Sequence, residues 1–304
     1  MVSGPNIISN LSSSIHETRV GVLQRIMKES PANLVVAHSI EAKPLIQLFE
    51  LEKLECDAYP LYGNDSGLVL IVAGMGSERT ASAVSYLGDK QKNSRDKVRG
   101  WLNIGIAGHQ QEALGRGLLA HKISSRTSGK SFYPPMLLKE DLPTSAVITV
   151  EQPELNYPEN AAYEMEAFGF YSAACNHSTS ELVQVYKVVS DNPSNSVEGI
   201  NQTIVSQWFL HNSNDMKHLL ERLAELVVET NLYFRLPQEV DEFSSRLHFS
   251  STQKNQLCRL VQRLHALGSE DFLLALSPHS FHDARQLIRA LEDQADRVSE
   301  NPEK

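Results

Sequence analysis

A short apolar run, then a turn of polar or glycine residues, then a helical period: this order recurs from residue 34 to about residue 190. It constrains the fold more than any other feature of the chain. Leu34-Val35-Val36-Ala37 runs into His38-Ser39-Ile40-Glu41-Ala42 and a helical stretch over 43–51, with Pro44 in its first turn. Residues 68–73 run into Gly74-Met75-Gly76-Ser77-Glu78-Arg79-Thr80 and a helix reaching about residue 87. Residues 100–104 run into Gly105-Ile106-Ala107-Gly108-His109, and 118–123, 146–150 and 182–189 supply further strands. Such an order predicts an α/β sheet with helices on both faces.

The pattern changes at both ends. Residues 1–15 are rich in Ser, Asn and Gly, and a helical period over 16–29 places Val20, Leu23 and Met27 on one face before Pro31 breaks it. Beyond Leu210 the spacing is helical throughout. Residues 216–229 align Met216, Leu219, Leu220, Leu223, Leu226 and Val227, with Asp215 as the expected cap. Residues 251–267 align Leu257, Leu260, Val261 and Leu264, and Gly268 is placed to end that helix. Further helices are expected over 271–276 and 282–298. The organisation predicted is an N-terminal segment (1–32), an α/β domain (33–236) and an all-helical extension (237–304).

Charge and cysteine usage narrow the partners. A formal charge of −9 and a pI near 5.7 argue against nonspecific binding to nucleic acid or anionic membrane. Lys254, Arg259 and Arg263 lie among acids and read as a solvated face. No apolar run approaches the ~18 residues that span a bilayer, and the N-terminus carries no apolar signal core. Cys56, Cys175 and Cys258 are scattered and odd in number, which predicts neither a disulfide framework nor a thiolate metal site. A cytoplasmic protein without metal or cofactor is expected.

Several residues are candidates for chemistry. Gly74-Met75-Gly76 follows a strand, where backbone N–H groups meet an anion or a sugar, although a tight structural turn reads equally well. It lacks the third glycine of a dinucleotide fingerprint. Arg79 is either a phosphate ligand or an exposed helix arginine. His109 is either a ligand contact or a satisfied loop residue. Phe132 and Tyr133, in the Ser-, Gly- and Pro-rich connection over 126–143, either stack on a base or pack. Glu166 and Asp191 bracket a helix-to-strand unit, and Asp191 falls just past an apolar strand, where open α/β sheets keep their ligands.

Tyr163-Glu164-Met165-Glu166-Ala167 followed by a strand ending in Ser190-Asp191 resembles the nucleoside phosphorylase and nucleosidase superfamily. The methylthioadenosine/adenosylhomocysteine nucleosidase branch is the most similar. Asn103-Ile104-Gly105-Ile106-Ala107-Gly108, the Gly74–Gly76 loop and the post-strand loop around Glu41 extend the resemblance over about residues 33–210. It implies a three-layer α/β/α phosphorylase/hydrolase-like fold with a central mixed sheet, and cleavage of the N-glycosidic bond of a nucleoside, expected to be a purine one. Asp191 would protonate the base with Ser190 orienting it, Glu166 would bind the ribose hydroxyls with Met165 packed against the ribose, and Glu41 would activate water.

The same resemblance places Gly74, Gly76, Gly105, Gly108, His38, Thr149 and Val150 around the substrate, with main chain near Val150 gripping the base. It gives Arg79 to phosphate should phosphate be the nucleophile. His109-Gln110 departs from the pattern, which has a second glycine and a small apolar residue there. The post-strand loop carries neither the glycine nor the arginine of a phosphate loop, which leans towards water. A homodimer is the assembly the resemblance implies. Because fold does not dictate chemistry, a nucleoside- or base-binding regulatory protein without turnover stands as the alternative.

Overall fold

The computed structural model describes residues 31–91, 98–138, 141–196, 198–233 and 238–300; the helix expected over 16–29 lies outside them. The chain forms two compact units, Met1–Asn231 and Leu232–Lys304.

The first unit is built on one mixed sheet. Its strands are β1 (Ala32–Val36), β2 (Glu52–Leu54), β3 (Leu61–Gly63), β4 (Val69–Val72), β5 (Gly100–His109), β6 (Gly117–Ser125), β7 (Ser131–Phe132), β8 (Thr144–Thr149), β9 (Ala162–Glu164) and β10 (Val183–Asp191). The spatial order is β10-β6-β8-β9-β5-β1-β4-β3-β2, with β7 on β6 and a second pairing of β10 with β5. That second pairing closes β5, β10, β6, β8 and β9 into a ring, while β1, β4, β3 and β2 continue as an open wing. The centre of the wing is parallel, with β4, β1 and β5 running together, and β10 is parallel to β5.

Five helices belong to this unit among the described residues: α1 (Ser39–Leu48), α2 (Ser77–Gln91), α3 (Ala167–Ala174), α4 (Gln202–His211) and α5 (Ser213–Tyr233). The period-two alternation of the strands sorts them into layers. Leu34 and Val36 of β1, with Leu102 and Ile104 of β5, share a core with Leu45 of α1, Phe209 of α4 and Leu219 and Leu223 of α5. Val35, Trp101 and Val185 point the other way, into a core with Val84 and Leu87 of α2 and Phe170 of α3. Helices therefore cover both faces of the sheet, in three layers.

Three local differences from the sequence reading have physical causes. Residues 105–108 form no turn: β5 continues to His109 because β9 pairs with it, Gly108 to Tyr163 and His109 to Ala162. The strand expected over 182–189 runs on through Ser190, so Asp191 is the last residue of β10 rather than lying just past it. Asp215 does not cap α5; it lies in the first turn of a helix that starts at Ser213, where its carboxylate accepts from the Tyr186 hydroxyl at 3.3 Å.

The second unit contains α6 (Gln238–Arg246), α7 (Ser251–Ala266), α8 (Glu270–Ala275) and α9 (Ala284–Glu300). It has its own core, in which Val240 and Phe243 meet Leu257, Val261 and Leu264 of α7, Leu273 of α8 and Leu287 and Leu291 of α9. Ser250 caps α7 in a reciprocal box with Gln253, and Gly268, at φ +68°, follows its end. Among the described residues, no helix is long and apolar enough to cross a membrane.

Candidate active site

The carboxyl ends of β1, β5 and β10, with the start of α3, enclose a cavity of about 330 Å³. Its wall includes Glu41, Gly108, Met165, Glu166, Ser190 and Asp191. Glu166 and Asp191, separated by a helix and a strand in sequence, thus face one space. His38, Val150 and the exposed Met75 also line it, as does Glu154 from the connection between β8 and β9.

Each acid is held by a different device. Glu41 lies in the first turn of α1, earlier than the helix expected from residue 43, and folds back on the end of β1 in a reciprocal capping box with His38. Its Oε2 accepts from the Ala37 and His38 amides at 2.9 and 3.0 Å, and its Oε1 accepts from the Ile106 amide at 3.1 Å. Glu164, on β9, accepts from the Glu166 and Ala167 amides at 2.9 and 2.8 Å and so satisfies the first turn of α3. Thr149 donates to the other oxygen of Glu164 at 2.6 Å and accepts from the Phe168 amide. Glu166 accepts from the Gly76 amide at 2.7 Å, which ties the left-handed Gly74-Met75-Gly76 turn to the cavity. Asp191 accepts from the Ser190 hydroxyl on Oδ1 and from the Tyr157 hydroxyl on Oδ2.

Beneath these acids lies Lys187, fully buried in β10, with its ammonium 2.9 Å from Glu164. Burial alone would lower its pKa, but Glu164, Glu166 and Glu41 outweigh that and hold it above the ordinary lysine value. One cation faces three buried carboxylates. Burial, followed by the charge of Glu164, pushes Glu166 up to about 7. Glu166 therefore changes charge near neutrality, where an incoming group decides which form prevails.

The glycines of β5 serve close packing of side chains. A Cβ on Gly105 would stand 3.0 Å from Glu41 Oε1 and 3.2 Å from Lys187 Nζ. One on Gly108 would stand 2.4 Å from Asp191 Oδ2 and 2.7 Å from the Tyr157 ring. These positions admit the acids and the phenol into one layer, a reason distinct from the close passage of backbone under a ligand.

Other expected residues sit elsewhere. His109 is buried and turned away: its Nδ1 accepts from the Gln111 and Glu112 amides at 3.1 Å and its Nε2 meets Ser145 Oγ. Burial holds its pKa below the ordinary histidine value, and this is the satisfied loop residue of the two readings. Arg79 is exposed on α2 and lies outside the cavity wall, as do the side chains of Thr149 and Phe132. Phe132 packs on Phe168 and Tyr171, with ring centroids 4.9 and 5.2 Å apart.

Glu154, Tyr157, Glu164 and Lys187 were not among the candidates read from the sequence. Lys187 had a signal, a single cation inside the apolar run Val185-Tyr186-Lys187-Val188-Val189, which requires a buried partner. Tyr157, between Asn156 and Pro158, had none.

Fold and site together define a class: a three-layer α/β/α protein whose acids gather in a cleft at the carboxyl ends of its strands. The chain shares this fold with the 5′-methylthioadenosine/S-adenosyl homocysteine nucleosidase of Campylobacter jejuni. The TM-score is 0.50 at 16% identity, over 64% of this chain and 98% of that one. Futalosine hydrolase of Helicobacter pylori aligns with TM-score 0.49 and 12% identity, over 63% of this chain and 98% of its own. No protein-family model matches the sequence, and no curated protein does. At 16% identity the likeness to the Campylobacter jejuni protein is one of fold alone.

Proposed function

We propose that the protein hydrolyses the N-glycosidic bond of a nucleoside, with a purine as the base. One observation carries this reading: Glu166 and Asp191 line a single cavity large enough for a nucleoside. Asp191 gives its proton to the departing base as the bond between C1′ and nitrogen breaks and its electron pair moves onto the base. General acid catalysis of this kind contributes on the order of 10²–10⁴ in rate. Glu166 accepts hydrogen bonds from the ribose hydroxyls, and its ionised form favours the cationic sugar of the transition state. Met165 packs against the ribose. Water bonds to C1′ and loses a proton towards Glu41. Three amides occupy that carboxylate, leaving about one of its roughly four lone-pair directions for the water.

The charge of the wall favours water over phosphate. Glu41, Glu154, Glu164, Glu166 and Asp191 line the cavity, and among its described lining residues there is neither Arg nor Lys. A phosphate dianion would enter a field of its own sign. Arg79, the expected phosphate ligand, is exposed on α2.

The test is base release from adenosine, inosine and methylthioadenosine, with and without phosphate. Free ribose, or methylthioribose from methylthioadenosine, is the expected sugar product; a sugar phosphate would replace hydrolysis with phosphorolysis. Asp191→Asn is expected to abolish release while a nucleoside still raises the melting temperature. Unchanged turnover in that variant defeats the assignment, and nucleoside stabilisation of the wild type with no base released favours the binding protein instead.

A further inference from the structure

The connection over 151–160 is exposed apart from the half-buried Glu154 and one buried residue, Tyr157, which is 3% accessible. Tyr157 reaches its place with φ at +44°, in the left-handed region that side chains with a Cβ seldom occupy. Backbone in that region persists where surrounding contacts over-determine it, and here the contacts converge on one atom group. The ring lies over Gly108, the one residue type that leaves room for it, and meets Tyr163 edge-on at 5.9 Å. The hydroxyl donates to Asp191 Oδ2, opposite the bond from Ser190 to Oδ1.

We infer that Tyr157 is a positioning residue that aims Asp191 at the base. The inference rests on the nucleosidase reading of the same cavity. A carboxyl group at the end of a strand turns freely about its last torsion, and a proton donor must face the accepting nitrogen. A hydroxyl on each oxygen fixes the carboxyl plane from both ends. Each carboxylate oxygen has a second lone pair, so the proton to be transferred sits on one of these without breaking either bond. Once it has left, both hydroxyls stabilise the carboxylate that remains. Burial, then the hydrogen bond and charge of Asp191, hold the Tyr157 hydroxyl above its ordinary pKa, so it stays a donor across the neutral range. The other titratable groups around the cavity are His38 and Glu41 near α1, Glu154 on the connection, and Tyr163, Glu164 and Glu166 around β9. Lys187 lies below them on β10, and His109 of β5 faces Ser145.

Tyr157→Phe keeps the ring and removes the donor. Its kcat is expected to fall roughly ten- to a hundredfold, the effect of a lost hydrogen bond to a charged group, with KM changed less than about threefold. The alkaline limb of the kcat profile is expected to move to higher pH. Unchanged kcat and an unmoved limb overturn the inference. A second measurement needs no turnover: carboxyl-¹³C aspartate labelling, with the Asp191 signal assigned by its loss in Asp191→Asn. At one fixed pH that signal is expected to move in Tyr157→Phe and to move further when Ser190→Ala is added, as each hydroxyl bond to the carboxyl is lost. A signal that stays in place overturns the inference even if the wild type releases no base, whereas a signal that moves in a protein without turnover removes only the hydrolase reading.

Discussion

Glu166 carries a conflict between stability and use. Burial and the neighbouring Glu164 hold its pKa at about 7, against an ordinary value of 4.5. Between those two values the unfolded chain has lost the proton and the folded chain keeps it, so folding becomes less favourable as pH rises through that window. Above it the penalty is constant; below about 4.5 it vanishes. Glu166→Gln is neutral at every pH and retains an oxygen for the Gly76 amide. It is expected to be more stable than the wild type by a few kcal/mol at pH 8 and no more stable at pH 4.5, while losing turnover. Urea titrations of both proteins at the two pH values measure this; a stability gap that does not grow between them refutes it. That Glu166 would line one cavity with Asp191 was legible through the resemblance carried by the Glu-Met-Glu segment. Its more distant neighbours were not: Lys187, which eases its charge, and Glu41, which opposes it, come to it only through the pairing of β10 with β5 and the fold-back at the start of α1.

Elements repeat this division between what is local and what is not. The apolar runs of β1, β4 and β10 and the periodic helices α5 and α7 could be read directly, because burial on both faces or along one stripe writes itself into consecutive residues. The short strands β2, β3, β7 and β9 could not: they are two or three residues long and exist because a partner strand is present. β9 matters most, since it turns Glu164 and Glu166 towards the cavity and extends β5 past its glycines. Packing between α2 and α3 shows the same non-local dictation. Gly169 of α3 lies against the backbone of the first residue of α2, so close that an added Cβ would stand 2.0 Å from the Ser77 carbonyl oxygen. Backbone cannot yield as a flexible side chain would. Gly169→Ala is therefore expected to cost about 1–3 kcal/mol, although alanine is the better helix former, and to weaken nucleoside binding by moving the start of α3, where Glu166 sits. A variant as stable as the wild type in urea would show that the two helices separate at little cost.

At the scale of the molecule, the question is whether the helical unit can stand alone. Leu232–Lys304 has a core in which Val240, Phe243, Leu257, Val261, Leu264, Leu287 and Leu291 are almost wholly withdrawn from water. Burying each of the larger aliphatic chains contributes roughly 1.5–3 kcal/mol, against an ordering cost of about 1.5 kcal/mol per residue. A unit of this size is left with a margin of only about 3–5 kcal/mol. Local devices are then decisive: the Ser250–Gln253 box at the start of α7 and the left-handed Gly268 beyond its end satisfy groups that the core cannot. A fragment of residues 232–304 is expected to be helical by circular dichroism and to melt in one cooperative step. Leu264→Ala, which empties the centre of that core, is expected to cost about 2–5 kcal/mol and to unfold the fragment at room temperature. Ser250→Ala is expected to cost about 1 kcal/mol and lower the melting temperature without unfolding it. If the fragment is unstructured while the full chain shows a single melting transition that Leu264→Ala shifts as a whole, its core is not sufficient by itself, and the helices depend on the rest of the chain to fold.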